Sequence, residues 1–248
     1  MKIGLINEAT HYMETLGKYT TQDFEERTDL IIESVNKHNL DILMAPEWYY
    51  LKLPHFTKEE KEQTLEKIIK NTPKETLIIP GTFIWIYKKI KKILTKDQLN
   101  FHNTAIIIYN GQIQEYHKYG NAGELGIEGE SKNKKQNFKF TEGLEKGKIF
   151  SWKNLDLGLE ICIEHELGGL KSKKRNLDLQ LVVACGISLY PIHTTIKNKG
   201  HIIICDGYLG INKSNKEKFG NRIYQKDSDK LNKIQPIQYT TNLDLFEI

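Results

Sequence analysis

Three cysteines, at positions 162, 185 and 205, are all that the 248 residues contain. An odd, widely spaced set does not build a disulfide framework and fits a reducing compartment, so a cytoplasmic location is expected. No apolar run approaches the 18 residues that a membrane-spanning helix needs, and the stretch from Met1 to Asn7 holds only a short apolar run before Glu8, too little for a secretory signal. H-E-x-x-H and C-x-x-C spacings are absent, as are G-x-G-x-x-G and a phosphate-binding loop. Neither a metal nor a nucleotide cofactor is therefore expected. Charge of one sign is also lacking: 36 basic residues stand against 32 acidic ones, spread without a stripe, which argues against a nucleic-acid partner. The local runs Lys88 to Lys92 and Lys171 to Arg175 read as solvated faces.

What is present is the composition of a globular chain, 39% hydrophobic and 27% charged, long enough for one sizeable α/β domain spanning residues 1–248. Strands and helices alternate. Apolar runs at 2–7 and 41–45 read as strands, the second broken by Pro46. Phe24, Leu30, Ile31 and Val35 give helical spacing over 21–38, and Thr57-Lys58-Glu59-Glu60 is a capping box that opens a second helix running to Asn71. Strand candidates follow at 76–80, 82–87 and 103–109, and Asn110-Gly111 predicts a hairpin into 112–117. The tract 120–147 reads as a long loop, 212–233 as another, and 239–248 as an edge strand. Further apolar strands are expected at 179–185 and 201–205.

The most informative stretch is Leu155 to Leu170. Leu155, Leu157, Leu159, Ile161 and Ile163 alternate at period two, and the pattern breaks at Glu164-His165-Glu166, which places Cys162 where a strand gives way to a turn. Glu47 follows the strand at 41–45 beside Trp48, Tyr49 and Tyr50, a setting that desolvates a carboxylate and suits a general base. Lys118 ends the strand of the Asn-Gly hairpin in the same way. Each has a plain alternative: core packing for Cys162, a surface charge for Glu47 and for Lys118. A papain-like pairing of Cys162 with His193 or His201 would leave Glu47 and Lys118 unexplained.

Taken together, Pro46-Glu47, Tyr116-x-Lys118 and Ile161-Cys162-x-Glu164 resemble the Glu-Lys-Cys triad of the nitrilase, or carbon-nitrogen hydrolase, superfamily. Pro80-Gly81-Thr82, Asn103-Thr104-Ala105 with Asn110-Gly111, and Phe140 to Gly143 are similar to further family motifs. The resemblance implies a single-domain α-β-β-α sandwich that associates into homodimers or larger homo-oligomers. It implies a thiol hydrolase that cleaves a non-peptide C–N bond of a small amide through a thioester, with no cofactor. Glu47 would be the base, Lys118 the cation, Cys162 the nucleophile and the Ile163 backbone N–H an oxyanion donor; Trp48 and Glu164 would contact substrate. A second glutamate between lysine and cysteine is common in the family and is matched best by Glu128, with Glu124 and Glu130 as competitors. The same scaffold with a relict triad would instead be a binding or regulatory module.

Overall fold

The computed structural model describes residues 1–10, 21–52, 55–91, 97–121, 136–208, 210 and 219–248. Its elements are, in order, β1 (Lys2–Ile6), α1 (Thr21–His38), β2 (Ile42–Met44), α2 (Lys58–Asn71), β3 (Leu77–Ile79), β4 (Thr82–Ile90), β5 (Asp97–Tyr109), β6 (Gln112–His117), β7 (Gln136–Phe140), β8 (Lys148–Trp152), β9 (Leu155–Ile161), α3 (Ile163–Glu166), β10 (Leu177–Ala184), β11 (Ile196–Asp206), β12 (Arg222–Asp227), β13 (Lys230–Ile234), β14 (Gln238–Tyr239) and β15 (Leu243–Glu247).

These strands form two mixed sheets. The first runs β14-β15-β1-β2-β3-β5-β4, with β6 and β7 also paired to β5; the second runs β13-β12-β11-β10-β9-β8. Parallel pairing links β1, β2 and β3 in one sheet and β9, β10 and β11 in the other. Alternation sets the layers. Ile42 and Met44, Leu77 and Ile79, Ala105 and Ile107 pack with Leu157, Leu159, Leu181 and Val183 in a core between the sheets. Leu43, Ile78, Ile106 and Ile108 face the other way, onto Phe24, Ile31 and Val35 of α1 and Leu65 and Ile68 of α2. Burial on both faces is why these strands read as continuous apolar runs, each buried Leu or Ile contributing about 1.5–3 kcal/mol. The capping box forms as expected: Thr57 accepts from Glu60 N–H, and the Glu60 side chain accepts from Thr57 N–H.

The α-β-β-α layering is therefore uneven. Two long helices cover the first sheet, while among the described residues the second is covered by α3 and the 3₁₀ turns Lys171–Lys173 and Pro191–His193. Beneath that thin cover, Glu160 of β9 and Gln180 of β10 are fully buried and satisfied by one another and by His165.

Four expectations are corrected. Residues 136–140 of the expected loop form β7, which lies parallel to β5; only Phe138 and Phe140 alternate there, too short a pattern to stand out from polar flanks. The strand β8 was not expected, because its hairpin turn Lys153-Asn154 lacks the Asn-Gly signature although both residues have positive φ (46° and 63°). The polar tract 212–233 contains β12 and all but the last residue of β13, the latter a lysine-bearing edge strand whose exposure hides its period. Finally, β15 sits inside the sheet between β14 and β1, leaving the two-residue β14 at the edge.

Candidate active site

Three strand ends carry the candidate residues. Glu47 lies just past β2, and its backbone N–H donates to Ala184 O at the end of β10 (3.3 Å), tying the two sheets together at this edge. Its carboxylate is 1% exposed, and Oε1 accepts from Lys118 Nζ (2.7 Å) and from Asn103 Nδ2 (2.9 Å). Lys118 follows β6, is also 1% exposed, and is fixed by its N–H donating to Asn103 O (2.8 Å). Asn103 thus grips both members of a buried ion pair.

Cys162 directly follows β9, and its N–H donates to Val183 O (2.9 Å). Its backbone stands at φ 49°, ψ −109°, a conformation that a non-glycine residue holds only at a cost of about 1–3 kcal/mol and that turns the chain sharply into α3. Burial pushes the Cys162 thiol well above its ordinary range; the Glu47 charge adds to the rise, and Lys118 opposes it together with the backbone amide of Cys185. Acid, cation and sulfur therefore share one electrostatic neighbourhood, in which burial favours the protonated thiol.

Two glycines from the motifs make this convergence sterically possible. A Cβ on Gly81 (φ 81°) would lie 2.3 Å from Pro46 O, in the turn that presents Glu47. One on Gly143 would lie 2.0 Å from His117 O, beside Lys118, and Gly143 N–H donates to Lys118 O (2.7 Å).

Of the aromatic residues after Glu47, Tyr49 and Tyr50 turn away into the helix-side core, where Tyr49 Oη donates to Arg27 O and Tyr50 Oη meets Thr28 Oγ1. Trp48, at φ 61°, turns the opposite way and packs partly buried against a separate cluster that includes Ile84, Phe101, Phe138 and Phe140. Ile163 follows Cys162 directly and opens α3. Glu164, expected to meet substrate, has both oxygens taken up by backbone: Oε1 accepts from Tyr119 N–H (2.6 Å) and Oε2 from Ile161 N–H (2.7 Å). It ties the chain after Lys118 to the strand before Cys162, and burial raises its pKa to about 7. Glu128, like Glu124 and Glu130, lies outside the described residues.

His165 is buried against Glu160 (Nδ1 to Oε2, 3.0 Å), and Tyr190 N–H donates to its Nε2 (3.2 Å). No metal-binding group of three or more His, Cys, Asp or Glu occurs among the described residues. Two site residues were not singled out from the sequence. Asn103 was visible only as part of a motif, and Cys185 only as the end of an apolar strand; the signal for Cys185 is that β10 runs beside β9 with Val183 opposite Ile161.

No protein-family model matches the sequence, and none of the curated proteins is significantly similar to it. Solved structures do match. An amidase from Nesterenkonia sp. is 13% identical, with a TM-score of 0.61, covering 100% of this chain and 90% of its own. XC1258 from Xanthomonas campestris, described as a CN-hydrolase superfamily protein with an arsenic adduct in its active site, is 13% identical with a TM-score of 0.60, covering 99% and 89%. The chain has the nitrilase-superfamily fold. It also spans 98% of itself but only 44% of the glutamine-dependent NAD+ synthetase from Acinetobacter baumannii, at 14% identity and a TM-score of 0.59. In one structure of the Nesterenkonia amidase, acrylamide is added to the active-site cysteine. In the present nitrilase-like fold, the sulfur at the end of β9 is Cys162.

Proposed function

We propose that the chain is a carbon-nitrogen hydrolase of the amidase type, acting on a small amide through a Glu47-Lys118-Cys162 triad. The observation that carries this reading is the fully buried Lys118–Glu47 pair, 2.7 Å apart, set so that both charges act on the thiol of a strained, strand-end cysteine. A buried ion pair is poor evidence of stabilisation, since desolvation offsets its attraction, so its retention calls for another role.

In the proposed reaction Glu47 takes the Cys162 proton as the sulfur attacks the amide carbon, because a neutral thiol is a weak nucleophile until a base removes its proton. Lys118 and the Ile163 N–H hold the developing oxyanion, a contribution of about a hundredfold or more per donor. Glu47 then protonates the departing ammonia or amine. It next activates water against the thioester, restoring the thiol. Trp48 and its apolar neighbours form a wall for the acyl group, and Glu164 acts as a positioning residue that ties the segment after Lys118 to the strand before Cys162.

A screen of small amides for released ammonia, with intact-mass detection of an acyl adduct, tests the reading. We expect turnover that Cys162→Ser abolishes along with the adduct. A folded protein that turns over none of the amides, or whose adduct persists in Cys162→Ser, overturns it.

A further inference from the structure

The proposed hydrolysis leaves Cys185 unused, although its thiol occupies the same site. Its neighbour Ala184 accepts the Glu47 N–H, and the Cys185 thiol is raised by burial and by the Glu47 charge and lowered by Thr10 and Lys118. Those are the two charges that act on Cys162.

The sheet brings the two sulfurs together. The strands β9 and β10 are parallel neighbours with Ile161 opposite Val183, Cys162 and Cys185 follow directly on their ends, and the Cys162 N–H donates to Val183 O (2.9 Å), two residues before Cys185. Neighbouring strands lie about 4.8 Å apart, and disulfides span Cα distances of about 4.4–6.8 Å. The Cys185 amide already reaches the Cys162 sulfur, and the Cys185 sulfur lies three bonds from that nitrogen. Cys205 is placed differently: it is 0% exposed, with its sulfur turned to Ile6 O and Met44 O.

We propose that Cys162 and Cys185 are a peroxide-sensitive thiol pair that closes to a reversible disulfide across the active site. The inference rests on the proposed reading in one respect, that Glu47 and Lys118 make Cys162 the nucleophilic sulfur. The steps balance. The Cys162 sulfur attacks one oxygen of hydrogen peroxide, the O–O bond breaks, and the proton removed by Glu47 leaves with the departing oxygen as water. Cys162 is then a sulfenic acid. The Cys185 sulfur attacks it, an S–S bond forms as the S–O bond breaks, and a second water leaves with the thiol proton. A dithiol reverses the link by exchange.

The test treats the intact protein with hydrogen peroxide and follows free thiols and non-reducing peptide masses. We expect free thiols to fall from three to one, a Cys162–Cys185 peptide to appear, and dithiothreitol to restore all three. Cys205→Ser should still form the link, while Cys185→Ser should carry Cys162 on to the sulfinic acid, which dithiothreitol does not recover. Wild-type protein in which Cys162 reaches the sulfinic acid without a Cys185 link overturns the pair but leaves its nucleophile intact. Retention of all three thiols also overturns the pair, and amide trapping of Cys162 in parallel then shows whether the hydrolase reading falls with it.

Discussion

Glu164 is a buried carboxylate whose ionisation opposes its burial. Two backbone N–H groups favour its ionised form, yet burial outweighs them and raises its pKa from 4.5 to about 7. A carboxyl with a raised folded-state pKa stabilises the fold below the unfolded value, and that stability drains as pH rises through the folded one. Between pH 4.5 and 7 the folded state holds a proton on Glu164 that the unfolded state has released, so the contribution of Glu164 to stability should fall with rising pH by on the order of 3 kcal/mol. Glu164→Gln removes this slope at the cost of one backbone hydrogen bond, about 1–2 kcal/mol at every pH. Urea unfolding at pH 5 and pH 8 measures both quantities; a wild-type-minus-variant difference that is the same at the two pH values would mean that Glu164 stays ionised. This role was not legible in the sequence. The sequence showed an acidic residue two positions after Cys162, whereas the outcome depends on Tyr119, which is 45 residues away.

Gly81 shows how an element is aimed. With φ at 81° and a Cβ that would sit 2.3 Å from Pro46 O and 2.7 Å from Tyr49 Cβ, it allows β4 to start against the turn that presents Glu47. Gly81→Ala should cost about 3 kcal/mol or more, from backbone strain and displacement of that turn together. A shift near 1 Å in Glu47 would further lower amide turnover by roughly a hundredfold. Gly111→Ala is the control: its φ is 69°, but nothing lies within 4 Å of the added carbon, so only the backbone cost of about 1 kcal/mol applies and activity should hold. Equal losses from the two variants in denaturant melts and turnover would show that Gly81 serves the turn alone. Elements of this kind were legible in the sequence where local chemistry decides them, as with the Thr57 capping box and the Asn110-Gly111 hairpin. The strands β7, β8, β12 and β13 were not, because distant partners make them strands: β7 exists through its pairing with residues 97–101, and β13 through its pairing with β12.

At the scale of the molecule, the candidate site is a seam. Glu47, Asn103 and Lys118 come from the first sheet, Cys162 and Cys185 from the second, and the core between them sets their spacing. The sequence exposed each strand end but not which ends meet, since the first sheet departs from chain order and nothing local says which of its strand ends faces the second. If the seam is what matters, truncations of equal cost should have unequal effects on turnover. Leu181 is 0% exposed in the inter-sheet core on β10, four residues before Cys185, and Leu65 is 1% exposed on α2 beneath the outer face of the first sheet. Each change to alanine should cost about 2–5 kcal/mol by the cavity it leaves. Leu181→Ala also lets β10 settle toward the first sheet, moving the strand that braces Cys162 through Val183 O and Glu47 through Ala184 O. Amide turnover measured well below both melting temperatures should therefore fall roughly tenfold or more for Leu181→Ala and stay near wild type for Leu65→Ala, since small displacements at a reacting centre weigh heavily on rate. Matching activities in two equally destabilised variants would mean that the helical layer and the inter-sheet core hold the site equally, and the seam would lose its special place.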